Sequence, residues 1–570
     1  MKRIAFLEGP YGTTDGKVIC CDSDHDGLNE LIFHTGRRTV PSDPKRWEVL
    51  EYRPNNQYEV VFVDTGVNSP YPPGITTGNF KPYDVGDIDR DSLTDLVGHN
   101  LDITPDSEYN IVATQESPNY SFYPQSLSWS YRYSANQVQS APFYFPPDLD
   151  QDNHNEIMFL AEGNGITYIF ENNGNNQNQL VWSRYQVGAW SFAYNDFDRD
   201  GSKEFATANL GSLGRVSVYE NTFPNQYEMI YQDTVYLPNG VDVFSANDVD
   251  SDSWPEFFVG FHAVPTSTYY LYMWEATGNN TYQRILIDQR TDGGGYYRSK
   301  CGDIDGDGID EIIWAIGTKL LAYKAIANNQ FQQVWGWYND HGGACTIVNV
   351  YDMNQNGYNE IVVGGAGKTS IFEVEAVRLL RPNGGETFHV DSSELIQWQK
   401  FYPPRCDSLS LFYSIDNGSN YTMITYGLSG NDTSYLWTVP NVNSDSCKIK
   451  IIAYGPGWQY DESDGTFSIT TTGIEENCLS LIAYRFLLKI NPNPVKSLTA
   501  IRYSLPTEGN VSLQIFEVSG RLVKTLVNET KGPGNYKVNL NTKDLSASVY
   551  FLSIRTESDM RIIKRLVVVK

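Results

Sequence analysis

The residues best suited to chemistry in this chain sit in one acidic nonapeptide that occurs seven times. The first copy is Asp22-Ser23-Asp24-His25-Asp26-Gly27-Leu28-Asn29-Glu30, and the others begin at Asp87, Asp148, Asp196, Asp248, Asp303 and Asp352. Positions 1, 3, 5 and 9 supply oxygen donors. In chain order these are Asp22, Asp24, Asp26 and Glu30; Asp87, Asp89, Asp91 and Asp95; Asp148, Asp150, Asp152 and Glu156; and Asp196, Asp198, Asp200 and Glu204. The remaining three sets are Asp248, Asp250, Asp252 and Glu256; Asp303, Asp305, Asp307 and Glu311; and Asp352, Asn354, Asn356 and Glu360. Short carboxylates at alternate positions of a curling loop converge on one point, and position 7 adds a main-chain carbonyl. Hard oxygen donors of this kind suit calcium and suit zinc or copper poorly.

Position 6 requires a left-handed backbone, which Gly27, Gly201, Gly308 and Gly357 adopt freely and Asn153 tolerates. Ser92 and Ser253 fit less well, so those two loops are expected to be strained or wider. Six copies carry four carboxylates and the last carries two, so about seven calcium sites are expected, the seventh the weakest. Seven copies in one register argue against plain solvated acidic turns. The carboxylate falls at position 9 rather than 12 and a strand follows, which rejects the helix–loop–helix calcium loop.

The elements that position these loops are strands. The copies start 65, 61, 48, 52, 55 and 49 residues apart, a spacing typical of repeat folds. Apolar β runs follow the loops at once, such as Ile157-Met158-Phe159-Leu160 and Ile361-Val362-Val363, and a strand precedes each. Two further strands complete each unit, so seven units of four strands predict a seven-bladed β-propeller. The loops resemble the D-x-D-x-D-G-x-x-D/E loop of FG-GAP/VCBS (integrin-alpha-like) propellers over residues 1–375. Ser92, Asn153 and Ser253 in place of Gly, and Asn354 and Asn356 in place of Asp, are the departures. The seventh unit has three strands of its own, and Arg3-Ile4-Ala5-Phe6-Leu7 is a candidate for the fourth.

Residues 376–472 change character. Pro382-Asn383-Gly384-Gly385-Glu386 and Trp437-Thr438-Val439-Pro440, with short alternating strands between turns, resemble an immunoglobulin-like β-sandwich used as a spacer. Residues 473–570 resemble the C-terminal sorting domain of the type IX secretion system. The matching pieces are Asn491-Pro492-Asn493-Pro494, Ile501 to Pro506, Ser519-Gly520-Arg521, Gly534-Asn535-Tyr536, Val549-Tyr550-Phe551 and the final Lys564 to Lys570. Val495 and Ser548 replace the usual Phe and Gly. The resemblance implies a second β-sandwich, the type IX secretion machinery as partner, and an extracellular or cell-surface location. Lys2-Arg3 is followed by only four apolar residues before Glu8, too short for a signal-peptide core, so either the true start is expected upstream or the chain is expected to be a processed form.

The formal charge of −27 is nearly matched by the 26 carboxylates of the seven loops. The acidity therefore reports the proposed ion sites, and it argues against nucleic acid as a partner. Many Gly and aromatic residues, 39 of them Tyr, and the absence of long helical periodicity favour an all-β chain. There is no apolar run of a length that spans a membrane. The seven cysteines lack zinc-ligand spacing. Cys406 and Cys447 are candidates to pair, and the others read as buried small hydrophobes.

No H-E-x-x-H, G-x-S-x-G or P-loop occurs, and the paired carboxylates all lie in the calcium loops, so no catalytic residue is assigned. The face opposite the loops is expected to gather Arg37, Arg38, His99 and His262. It would also hold Trp190, Tyr296, Tyr297, Arg298 and His341, as a site for a glycan or a protein loop. The expected function is an exported, calcium-stabilised binding or adhesion protein without catalytic activity. The alternatives are a polysaccharide lyase on a calcium-bearing propeller and a purely architectural surface component.

Overall fold

The computed structural model of the chain describes residues 1–8, 18–35, 46–54, 56–64, 80–100, 108–115, 126–134, 143–144, 146, 148–161, 166–174, 177–185, 191–209, 214–235, 241–263, 266–294, 298–340, 342, 344–345, 347–365, 367–471, 487–505, 507–556 and 561–570. All regular structure among them is β-strand, with no helix. The chain divides into two compact units, Met1–Thr471 and Thr472–Lys570.

Seven four-stranded antiparallel sheets open the first unit. The first comprises Ile19–Cys21, Glu30–Thr35, Arg46–Arg53 and Gln57–Asp64. The sixth comprises Lys300–Gly302, Glu311–Ile316, Lys319–Ala327 and Gln330–Tyr338, and the sheets between them keep the same sequential order. The seventh takes only three consecutive strands, Ile347–Tyr351, Glu360–Gly365 and Lys368–Glu373. Its fourth is the N-terminal run Lys2–Glu8, antiparallel to Lys368–Glu373, which covers an edge that would otherwise expose unpaired main-chain groups.

Burial within a sheet falls from the second strand outward. Every residue of Glu311–Ile316 and Glu360–Gly365 is buried, whereas Gln330–Tyr338 has no buried residue. The second strands are therefore continuous apolar runs rather than alternating ones, as sequence packed on both faces requires. Each consecutive pair of sheets shares a hydrophobic core. Examples are Phe258, Leu271 and Met273 of the fifth sheet against Ile312, Trp314 and Leu321 of the sixth. The same holds between the seventh sheet and the first, where Ile347, Val362 and Ile371 pack with Val18, Cys20, Leu31 and Leu50. Burial on this scale contributes about 1.5–3 kcal/mol for each large apolar side chain.

Residues 377–470 form two sheets facing each other, one of Val377–Arg381, Ser393–Lys400 and Ser434–Thr438, the other of six strands. Ile396, Trp398 and Trp437 of the smaller sheet pack against Leu409, Leu411, Ile449, Ile451 and Phe467 of the larger. Buried Gln459 ties this sandwich to the end of the seventh sheet, accepting from the Ala376 N–H at 2.8 Å and donating to the Val374 carbonyl. Cys406 and Cys447, candidates to pair, are free thiols here. Their Sγ atoms lie 3.6 Å from the main-chain oxygens of Ser408 and Ser444 respectively.

Among its described residues the second unit has seven strands in two sheets, with Ile501, Tyr503 and Leu540 of one facing Leu513, Ile515, Leu552 and Leu566 of the other. Val495 is fully buried in this core, so the smaller residue found in place of Phe still fills an interior position.

Candidate metal centres and the cavity between the first strands

Each acidic nonapeptide links the first and second strands of its sheet, and all seven share one hydrogen-bond pattern. The N–H of position 6 donates to the position-1 carboxylate at 2.8–3.2 Å in every loop. The N–H of position 7 donates to the position-5 side chain, as from Leu28 to Asp26 at 2.8 Å and from Trp254 to Asp252 at 2.9 Å. One oxygen of the position-9 carboxylate accepts the N–H of position 2 at 2.6–3.1 Å, again in all seven.

Ser92 and Ser253 do not widen their loops. Their φ angles of 72° and 87° match the 88° of Gly27 and 96° of Gly201, and they make the same hydrogen bond. A Cβ built on Gly27 or Gly201 meets nothing within 4 Å, so the cost at these positions is conformational, about 1–2 kcal/mol each, rather than steric. Position 4 is left-handed as well: His25, Arg90, Gln151, Arg199, Ser251 and Gln355 have φ between 56° and 66°. That requirement is invisible in the sequence because only the sixth loop has glycine there, Gly306.

The folded loop brings its donors together. In the loops starting at Asp22, Asp148, Asp196 and Asp248, one ligand atom from each of the four carboxylates lies within 4.8 Å of the others. The position-9 carboxylates Glu30, Asp95, Glu156, Glu204 and Glu256 are fully buried, and the oxygen not bound to the main chain has no hydrogen-bond partner. Burial, with repulsion from the neighbouring aspartates, pushes Glu30 and Asp95 up to about 8 and Glu156, Glu204 and Glu256 up to about 9, against the pull of the main-chain hydrogen bond. An unpaired buried carboxylate is expensive. A hard divalent cation is the partner that this donor set fits, and Asp22, Asp24, Asp26 and Glu30, with their counterparts in the next four loops, would hold it.

A further shell of acidic residues was missed in the sequence. Across the sheet from position 9, the third strand places Glu51 opposite Glu30, Glu171 opposite Glu156, Glu220 opposite Glu204 and Glu275 opposite Glu256, all buried. By the same register Glu373 lies opposite Glu360, Gln115 is opposite Asp95, and Lys324 is opposite Glu311. The available signal is an aromatic–acid pair within the third strand, as in Phe170-Glu171, Tyr219-Glu220, Trp274-Glu275 and Phe372-Glu373. The last two loops also differ inside. Lys324 Nζ contacts Glu311 Oε1 in the sixth at 2.8 Å, and Asn354 Nδ2 donates to Glu360 Oε1 in the seventh at 2.5 Å.

Of the residues expected to bind a ligand, Trp190, Tyr296, Tyr297 and His341 lie outside the described residues, as do Arg37 and Arg38. Arg298 is described. It borders a cavity of about 510 Å³ between the first strands, lined also by Tyr83, Asp84, Tyr194, Asp242 and Lys300. Its guanidinium lies 5.1 Å from the centre of the Tyr83 ring, and its Nη1 is buried without a hydrogen-bond partner. Asp242 is buried beside it, accepting from Ser191 Oγ at 3.0 Å and from the Ser299 N–H. Burial pushes this carboxyl up to about 6, despite those hydrogen bonds and the pull of Arg298. The cavity thus offers both a cation and carboxylates to a polar ligand. His262 is not among its lining residues; its ring stacks on Tyr269 at 4.4 Å.

Comparison with known proteins places one segment. Residues 489–569 match the family model of the secretion system C-terminal sorting domain. This tail implies export through the type IX secretion machinery to the cell surface or beyond it. No curated protein matches the chain. Among solved structures, the fibronectin(III)-like modules of Clostridium thermocellum CbhA are similar at 13% identity, covering 34% of this chain and 92% of that one, with a TM-score of 0.13. The apo structure of Bacteroides uniformis beta-glucuronidase 3 is similar at 10% identity, covering 34% of this chain and 25% of that one, with a TM-score of 0.12. No described helix is long and apolar enough to cross a membrane.

Proposed function

We propose that residues 1–375 close into a seven-bladed, calcium-bearing propeller of the FG-GAP/VCBS type, and that the exported chain is a non-enzymatic binding protein. The shared cores between consecutive sheets, including that between the seventh and the first, support the closed ring. The observation that carries the calcium reading is the buried, partnerless second oxygen of Glu30, Asp95, Glu156, Glu204 and Glu256. Bound calcium would neutralise these carboxylates and fix the first hairpin of each blade. Residues 376–472 serve as an immunoglobulin-like spacer, and the tail delivers the molecule to the surface. The ligand is proposed to be a glycan or a protein loop, with the cavity bordered by Arg298 and Asp242 as the described part of its site.

The test is binding of the calcium-loaded chain to glycan and protein arrays, with Arg298→Ala in parallel. A discrete ligand whose affinity falls at least tenfold in Arg298→Ala supports this reading. Release of unsaturated ends from an acidic polysaccharide would show a lyase instead.

A further inference from the structure

The seven loops are not equivalent. In the third, fourth and fifth, the Oδ2 of the position-3 aspartate is held by a hairpin turn from the following sheet. The N–H groups of Asn225, Asn280 and Asn329 donate to Asp150, Asp198 and Asp250 at 2.5, 2.6 and 2.6 Å. Each of these asparagines is left-handed, with φ of 65°, 55° and 60°, and lies between the third and fourth strands of its sheet. The sixth loop has no such turn to receive, because the seventh sheet draws its fourth strand from Lys2–Glu8 and has no hairpin there.

Lys324 stands in its place. Its Nζ is 2.5 Å from Asp305 Oδ2, 2.8 Å from Asp307 Oδ2 and 2.8 Å from Glu311 Oε1, so one ammonium joins positions 3, 5 and 9 of the loop. Lys324 occupies the third-strand register that holds Glu51, Glu171, Glu220 and Glu275 in other sheets, a charge reversal at one position. Position 9 reports the consequence. Its second oxygen has no partner in the first five loops, whereas that of Glu311 is bonded to Lys324.

We infer that Lys324 is the built-in cation of the sixth loop, which folds on an internal ammonium where the first five fold on calcium. Resting on the calcium reading above, this makes one of the three repeats with the complete motif, Asp303-Ile304-Asp305-Gly306-Asp307-Gly308, a calcium-free one. A cation tethered by its own strand cannot be removed by a chelator. It therefore keeps the sheet next to the ring closure in register when calcium is scarce.

The experiment is anomalous scattering from calcium in crystals of the full chain and of Lys324→Met, with the bound calcium of each counted in solution by elemental analysis. The expected result is calcium in the first five loops of the native chain and none among Asp305, Asp307 and Glu311. In Lys324→Met, one further calcium per chain should appear there. Calcium in the sixth loop of the native chain, or a folded Lys324→Met that gains none, overturns the inference while leaving the calcium reading intact. Calcium at no loop overturns both. Should Lys324→Met fail to fold, the native map alone decides.

Discussion

Asn29 donates from its side-chain amide to the main-chain oxygen of Asp352 at 2.8 Å, joining the first acidic loop to the seventh across 323 residues of sequence. Asn155 does the same to Asp87 at 3.0 Å and Asn359 to Asp303 at 2.7 Å, and the Lys203 ammonium donates to the Asp148 main-chain oxygen at 3.0 Å. Position 8 of a loop thus reaches position 1 of the loop before it, and the first loop treats the seventh as its predecessor. A second link runs the other way: Gln355 donates to the Gly27 carbonyl at 2.7 Å, just as Gln151 donates to that of Gly201 at 2.6 Å.

Asn29→Ala should therefore weaken the proposed closure specifically. Asn29 is buried, and losing its donor leaves the Asp352 carbonyl short of a partner, at a cost of about 1–3 kcal/mol. Thermal unfolding of the variant should begin at lower temperature than in the native chain. An unchanged melt would mean that the first and seventh loops do not hold each other.

Glu204→Gln should act in opposite directions with and without calcium. The glutamine still accepts the Phe197 N–H, but it removes a charged ligand from the fourth loop. With calcium present the variant should melt lower and bind one ion fewer. In chelator it should melt at or above the native chain, because a buried carboxylate lacking a partner has been replaced by a neutral amide. A variant that melts lower in both conditions would contradict the account of that loop.

The same burial sets a pH dependence. Glu204 has its folded pKa raised from 4.5 to about 9, and Glu156 and Glu256 are raised likewise. A raised carboxyl contributes stability that is fully present below about 4.5 and is lost as pH rises toward about 9. In chelator, then, the melting temperature should fall steadily as pH is raised from about 5 to about 9. With saturating calcium, which holds the carboxylates ionised, that slope should vanish. The check is a series of melts across this range in each condition.

What the sequence disclosed and what it hid have a common physical cause. The nonapeptide is legible because a tight loop around one point leaves no freedom in spacing, and the apolar second strands are legible because both faces are covered. Glu51, Glu171, Glu220 and Glu275 reach the same loops across the sheet. They lie 21, 15, 16 and 19 residues beyond their position-9 partners, because the intervening hairpin varies in length, so no fixed motif contains them. In the sequence Lys324 is one polar residue at the end of the apolar run Leu320-Leu321-Ala322-Tyr323. Its role depends on the register that sets it opposite Glu311 and on the missing turn of the seventh sheet.

Deleting residues 489–569 should leave the protein inside the cell envelope, since this segment is the export address. Fractionation should find the truncated chain retained, while the full chain reaches the surface or the medium. Surface delivery of the truncated form would show that another segment carries the signal.

Unfolding of the full chain in excess EDTA and in millimolar calcium tests the central claim most directly. A site filled to a hundred times its dissociation constant adds about 2.7 kcal/mol, and several such sites act together. The melting temperature should therefore drop markedly in EDTA and recover when calcium, but not an equal concentration of magnesium, is restored. Superimposable melts in calcium and in EDTA would contradict it.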